Sequence, residues 1–319
     1  MVTVFKEFII KIDKKESKCG SVRTLLGLIP ELSDNETTIV FRGHADKSYD
    51  IKPSIYRKNE WHSNEDKIVR EILMRCPADF SHMQTNFEKL VKMQHYDLPT
   101  RLLDITQNPL VALYFACVGA DEKEKDGEIV FFKIPKKEIK YFDSDTVSVI
   151  SGLAWAKDDF EIERKHERDD KAFHRSNDHA LKLMHIIKQE KPYFLEKINP
   201  MHLQSVVCVK PKLDNPRVIR QEGSFLLFGI DRNKHQIPTI PDEWLYYPKE
   251  RRVIIKSTDK EQILKQLATI GISRDKLFPE IDMVSQFIKN EYGLDKNEFI
   301  SNHSKRISSQ LKGPIFMSR

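Results

Sequence analysis

A chain of 319 residues, with 39% hydrophobic and 32% charged residues, is long enough to bury a substantial core in one large domain or two smaller ones. A net charge of +5 and a pI near 8.8 permit an acidic partner such as RNA or DNA without requiring one. No run approaches the roughly 20 apolar residues of a membrane helix, and the opening MVTVFKEFIIKIDKK is too charged for a signal peptide.

The spacing of Val22, Leu25, Leu26 and Ile29 predicts a helix over Val22 to Leu32. SDNE ends it, and TTIVFRG reads as a β-branched strand closed by glycine. Ser63-Asn64-Glu65-Asp66 supplies capping chemistry for a helix through Ile68, Ile72 and Leu73. A second helix is expected from about Phe80 to Gln94, with Phe87, Leu90 and Val91 inward. Pro99 stops it, Arg101 to Ile105 is a short extended piece, and Asn108-Pro109 opens a helix through Leu113 and Cys117. GEIVFFKIP is a strand. Residues 154 to 198 read as a charged helical insertion or peripheral layer outside the core, densest in charge at DDFEIERKHERDDK. LQSVVCVKP, SFLLFGI and RRVIIKS are strands, and the end is helical from DKEQILKQLATIGI to LFPEIDMVSQFIKNEYG.

Lacking a regular βαβ rhythm, the order points to an α+β fold with a mixed or mainly antiparallel sheet and flanking helices. It is read as a single domain over residues 1–300, with a basic tail at 301–319. The four cysteines, Cys19, Cys76, Cys117 and Cys208, form no CxxC pair and point to a reducing cytoplasm. His174 and His179 are poorly spaced for zinc, so no metal site is expected. Phosphate-loop, dinucleotide-fingerprint, nucleophile-elbow and zinc-protease motifs are all missing.

Three polar clusters stand beside predicted core elements. In Phe41-Arg42-Gly43-His44 an arginine ends an apolar strand, and glycine allows a phosphate to approach. The alternative is a strand end with one surface arginine. QHYDLPTRLLDITQNPLVALYFAC, residues 94 to 117, crowds Gln94, His95, Tyr96, Arg101, Asp104, Thr106 and Asn108 ahead of an apolar helix. Arg101, Asp104 and Thr106 would surround a turn into a helix N-terminus, where N–H groups favour anions, while His95 and Tyr96 can stack on a base or bond a ribose. The alternative is an Arg101–Asp104 ion pair stapling the turn, with His95 packed. In Arg217-Val-Ile-Arg220-Gln221-Glu222-Gly223 a polar step precedes a core strand, so one side chain can enter a cleft; a hairpin turn is the alternative.

Together these clusters resemble the FRG domain family, through Phe41-Arg42-Gly43, HADKSYDIKPSIYR, the 94–117 run, RVIRQEGSF and GISRDKLFPEID. The resemblance covers roughly residues 25 to 290. The order of parts is also similar to ADP-ribosyltransferases of the arginine–serine–glutamate type, and it implies a fold of that kind with NAD as the substrate. By that resemblance Arg42 takes the NAD phosphates, Thr106 stands near the middle serine, and Gln221 or Glu222 is catalytic. Gly43, His95, Tyr96, Arg101, Asp104 and Asn108 complete the expected NAD-binding set. The pattern departs in lacking a Ser-Thr-Ser and in having a single glutamate beside Gln221. The resemblance further implies a toxin-like antiviral defence effector acting on a nucleic-acid or protein acceptor, with an antitoxin as neutralising partner. The alternatives are a non-catalytic nucleic-acid-binding or ligand-sensing module and an NAD hydrolase.

Overall fold

A computed structural model describes residues 14–289 apart from 30–34, 120–123, 164–172, 174–176, 282–283 and 286–287. The opening segment, His174, most of the charged 158–171 run and the 301–319 tail lie outside the described residues.

The strands are β1 (Glu16–Lys18), β2 (Thr37–His44), β3 (Leu102–Thr106), β4 (Gly127–Pro135), β5 (Ile139–Tyr141), β6 (Val206–Lys210), β7 (Gly223–Phe228), β8 (Leu245–Tyr246) and β9 (Arg252–Ile255). They form one mixed sheet in the order β1-β9-β4-β2-β3-β7-β6-β5, with β8 paired to β4. Only the β1–β9 and β5–β6 pairs are parallel, so the expected mixed, mainly antiparallel α+β architecture is what the chain builds. The principal helices are α1 (Val22–Leu26), α2 (Glu65–Arg75), α3 (Asn86–His95), α4 (Pro109–Cys117), α5 (Asp145–Gly152), α6 (Asp178–Glu190), α7 (Pro216–Arg220) and α8 (Lys260–Thr269).

Local chemistry accounts for the elements nearest the centre. Helix α3 starts six residues later than the hydrophobic spacing suggests, because Thr85 and Glu88 form a reciprocal capping box there. Asn108 caps α4 by accepting from Leu110 N at 2.9 Å, with Pro109 in the first turn. That helix is apolar all round and buries Val111, Ala112, Leu113, Tyr114, Ala116 and Cys117. It lies directly on the backbone of β2 and β4. A Cβ on Gly43 would sit 2.0 Å from Ala112 O, and one on Gly127 would sit 2.3 Å from Ala116 O.

The helical side of the sheet holds two separate apolar clusters. One gathers Leu102, Phe225 and Leu227 under α3, α5 and α6; the other gathers Phe41, Ile129 and Phe131 under α1, α4 and α8. A third cluster on the opposite face, with Val40, Leu103, Ile105, Val130 and Leu226, spans both halves of the sheet. The 154–198 region is not peripheral, as its charge suggested. Phe160, Phe173, Ala180, Leu183 and Ile187 are fully or almost fully buried in the first cluster, because a charged face on α6 conceals an apolar one.

Glu65, expected to help cap α2, turns inward instead, and Asn64 makes no side-chain cap. Its carboxylate meets the fork of Arg101, with Nε donating to Oε1 at 2.8 Å and Nη2 donating to Oε2. Lys234 joins at 3.0 Å and donates to Ala156 O at 2.7 Å. Arg101, Glu65 and Lys234 are 0%, 2% and 1% exposed. Burial works to raise the Glu65 carboxyl, but Arg101 and Lys234 outweigh it and hold the group below its ordinary value. Burial pushes the Lys234 ammonium down, and Glu65 opposes that.

Removing one member of such a group leaves the others charged and unpaired. Glu65→Ala is therefore expected to cost about 3–5 kcal/mol in chemical denaturation. A loss below about 1 kcal/mol, the range of an exposed pair, would contradict the buried arrangement.

Candidate functional site

The two halves of the sheet meet at β2 and β3, and there the ladder is reduced to a single paired position, Phe41 with Thr106. On either side the pairing is extensive: β2 matches β4 from Thr37 to His44, and β3 matches β7 from Leu102 to Thr106. Beyond Phe41 the strands part. Arg42 fills the parting, its Nη1 donating to the Asp104 carbonyl at 2.6 Å. A side chain thus takes the place that a strand neighbour's N–H would hold. The Asp104 carboxylate lies 4.0 Å from Nη1 and is 63% exposed, within a strand otherwise buried, so the seam opens to solvent at this point.

Arg42 Nε donates to His44 Nε2 at 3.1 Å, which leaves Nδ1 as the protonated nitrogen of that imidazole. Burial lowers the Arg42 guanidinium to about 10, Asp104 works against that, and the neighbouring charge of Arg57 adds to it. At neutral pH the group remains a cation. The exposed Arg57 is nearby, so two guanidinium groups stand beside the Asp104 carboxylate at the seam.

On the β7 side of β3, the turn at Gln221 and Glu222 is tied to the end of the strand by a short network. Thr106 Oγ1 donates to Gln221 O at 2.6 Å and accepts from Asn108 N at 3.0 Å. Gln107 N donates to Glu222 O at 3.1 Å. Asn108 does two jobs, capping α4 with its oxygen and donating Nδ2 to Glu222 Oε1 at 2.9 Å. Glu222 itself has φ +45°, a left-handed conformation that a non-glycine residue adopts at a cost of order 1 kcal/mol or more. Its side chain is exposed, with the carboxylate bonded by Asn108 at the start of α4. Gln221 is turned away, with Nε2 donating to Leu277 O at 3.2 Å.

The expected site residues thus separate into two groups. Arg42 and Asp104 come together where β2 and β3 part, and Thr106, Asn108 and Glu222 come together at the end of β3 on its β7 side. Arg101 joins neither: its donors are spent on Glu65, Phe228 O and Gly229 O in the interior, and no Arg101–Asp104 pair forms. Gly43 is not open to a ligand either, since α4 occupies the space its missing side chain leaves. His95 Nδ1 is bonded by Asn215 at 3.0 Å, and its Nε2 lies 2.8 Å from Glu280 Oε1. Tyr96 is 64% exposed beside it, with the Lys92 ammonium 5.3 Å from its ring. Sequence reasoning missed His44 as the partner of Arg42, and Glu280 as a partner of His95. His44 was adjacent to the strand motif and alternation places it on the Arg42 face; nothing local announced Glu280.

Among the described residues no group of three or more His, Cys, Asp or Glu side chains is arranged to hold a metal ion, and no helix is long and apolar enough to cross a membrane.

The FRG domain family matches residues 37–125, the stretch that supplies Arg42, Asp104, Thr106 and Asn108. No curated protein and no solved structure matches the chain.

Two substitutions separate strain from support at the turn. Asn108→Ala removes a helix cap and is expected to cost about 1 kcal/mol. Glu222→Gly removes the left-handed penalty, so thermal unfolding is expected at an unchanged or higher temperature despite the lost Asn108 contact. A clear fall in the melting temperature of Glu222→Gly would show that no strain is held there.

Proposed function

We propose that the FRG domain identified by the family match is used here for ADP-ribosyl transfer from NAD, with the seam between β2 and β3 as the NAD site. The observations that support this reading are a covered guanidinium where β2 and β3 part and, at the end of β3 on its β7 side, a carboxylate bonded by Asn108. Arg42, backed by Arg57, offers the cation that a dinucleotide's pyrophosphate requires. Glu222 offers the anion that an electron-deficient ribose requires, and Asn108 fixes it before substrate arrives.

In the reaction, the bond between ribose C1′ and the nicotinamide nitrogen breaks, and the electron pair leaves with nicotinamide. The oxocarbenium-like ribose is stabilised by the Glu222 carboxylate. A nucleophilic oxygen or nitrogen of the acceptor then bonds to C1′ and gives up its proton to the Glu222 carboxylate. Glu222 is the better candidate than Gln221 for the catalytic role, because the Gln221 side chain is committed to Leu277 O. Positioning and electrostatic preorganisation supply the rate, so loss of either charged group is costly. The acceptor is a nucleic acid, RNA or DNA, in keeping with the net charge of +5, and the biological role is that of a toxin-like antiviral effector restrained by an antitoxin. An exposed Glu222 is also reachable by water, which favours NAD hydrolysis as the second reading.

Incubation with adenylate-labelled NAD and separate pools of cellular RNA, DNA and protein tests the proposal. Label is expected in nucleic acid together with released nicotinamide, and Arg42→Ala or Glu222→Gln is expected to reduce both by about 100-fold or more. Nicotinamide release without labelled acceptor would select the hydrolase. Folded protein that neither binds nor consumes NAD, yet binds RNA with a steep salt dependence, would select a non-catalytic module.

A further inference from the structure

The His95 imidazole lies away from the seam, between the two pieces of chain that hold the Glu222 turn. Helix α7 runs directly into that turn: Gln221 N donates to Arg217 O at 3.0 Å, and Glu222 N donates to Ile219 O at 3.1 Å. Asn215 caps α7 by accepting from Arg217 N at 2.9 Å through Oδ1. The second piece is the segment after the short helix Arg274–Leu277. It presents Leu277 O to Gln221 and Glu280 to His95. Arg217 links the two pieces, with its guanidinium 4.6 Å from the Phe278 ring and Nη1 donating to His95 O at 3.2 Å.

The cap bond settles the proton on His95. Because Asn215 Oδ1 is used by Arg217 N, the atom facing His95 Nδ1 at 3.0 Å is the amide nitrogen Nδ2, which can only donate. Nδ1 must therefore accept, and the proton sits on Nε2, 2.8 Å from Glu280 Oε1. A second proton on the ring would set two donors against each other at Nδ1 and break the link to Asn215.

We propose that His95 is a positioning residue for the Glu222 carboxylate, a neutral imidazole protonated on Nε2 that clasps α7 through Asn215 and the 277–280 segment through Glu280. The inference rests on the reading of Glu222 as the catalytic carboxylate. The groups facing the ring are Lys92 and Tyr96 beside it in sequence, Arg217 on α7 and Glu280 on the closing segment. Burial, Arg217 and Lys92 lower the His95 pKa, and Glu280 opposes them. The neutral form is thus the folded one. The clasp is intact above the ordinary histidine value of about 6.5 and is lost as pH falls through the lower folded value.

Nitrogen-15 NMR of the imidazole, amide exchange at Gln221 and Glu222, and NAD turnover together test this. His95 is expected to be the Nε2–H tautomer at pH 7 and to protonate below pH ~6.5. His95→Phe is expected to speed exchange at the two amides and to lower kcat for NAD by about 10-fold, with KM within about twofold. His95→Asn keeps an acceptor near the Nδ1 position. It should therefore restore most of the protection and turnover while removing the acid limb of the wild-type pH profile. An Nδ1–H tautomer, or unchanged exchange in His95→Phe, would overturn the clasp. Wild-type protein inert toward NAD would instead overturn the catalytic reading of Glu222, and exchange at Gln221 and Glu222 would still decide whether His95 holds the turn.

Discussion

A guanidinium with no exposed surface must find every hydrogen-bond partner inside the protein, and Arg101 finds them on α2 and at the end of β7. Its fork closes on Glu65 of α2, and the remaining donor side reaches Phe228 O and Gly229 O at the end of β7. Lys234 binds the same carboxylate and carries it to Ala156 O. An imperfect version of this arrangement would cost several kcal/mol, so the geometry has little freedom. Arg101 directly precedes β3, so this hub fixes where β3 starts and how it lies against β7. It belongs to the half of the sheet that ends in Thr106 and the Glu222 turn.

That rigidity matters because the sheet is open where it would otherwise be weakest. A sheet whose two halves share one paired position has exposed N–H and C=O groups along both edges of the parting. Arg42 satisfies one of them through Asp104 O, and the apolar cluster containing Val40, Leu103 and Ile105 holds the halves together from the opposite face. The halves are otherwise packed under different helices. The outcome is a seam with a cation in it and, across β3 at the start of β7, a carboxylate on strained backbone. Strain of this kind persists where surrounding contacts over-determine it, and here Thr106, Gln107 and Asn108 supply those contacts.

Much of the fold was legible because period and capping agree locally. TTIVFRG, GEIVFFKIP and SFLLFGI are strands where β-branched and aromatic runs place them, and Asn108-Pro109 opens a helix as its chemistry requires. Two of the failures share one physical cause, which is that charge was read as exposure. Arg101 and Lys234 form with Glu65 the most buried ion pairs of the described residues, and α6 hides Leu183 and Ile187 behind a charged face. No local pattern tells a solvated arginine from one whose partner lies 36 residues away. Gly43 was read as room for a ligand, whereas that room is taken by a helix whose own Ala112 and Ala116 permit the approach. His95 was read as a stacking surface, but its role depends on Asn215 and Glu280, each far along the chain.

The central claim is that Arg42 and Glu222 serve one NAD site and divide the labour there. Calorimetric titration of NAD into the wild-type protein, Arg42→Ala and Glu222→Gln tests it most directly. The account predicts saturable binding to the wild type and to Glu222→Gln, and its loss in a folded Arg42→Ala. Absence of NAD binding to the wild-type protein, or undiminished binding to Arg42→Ala, would contradict it.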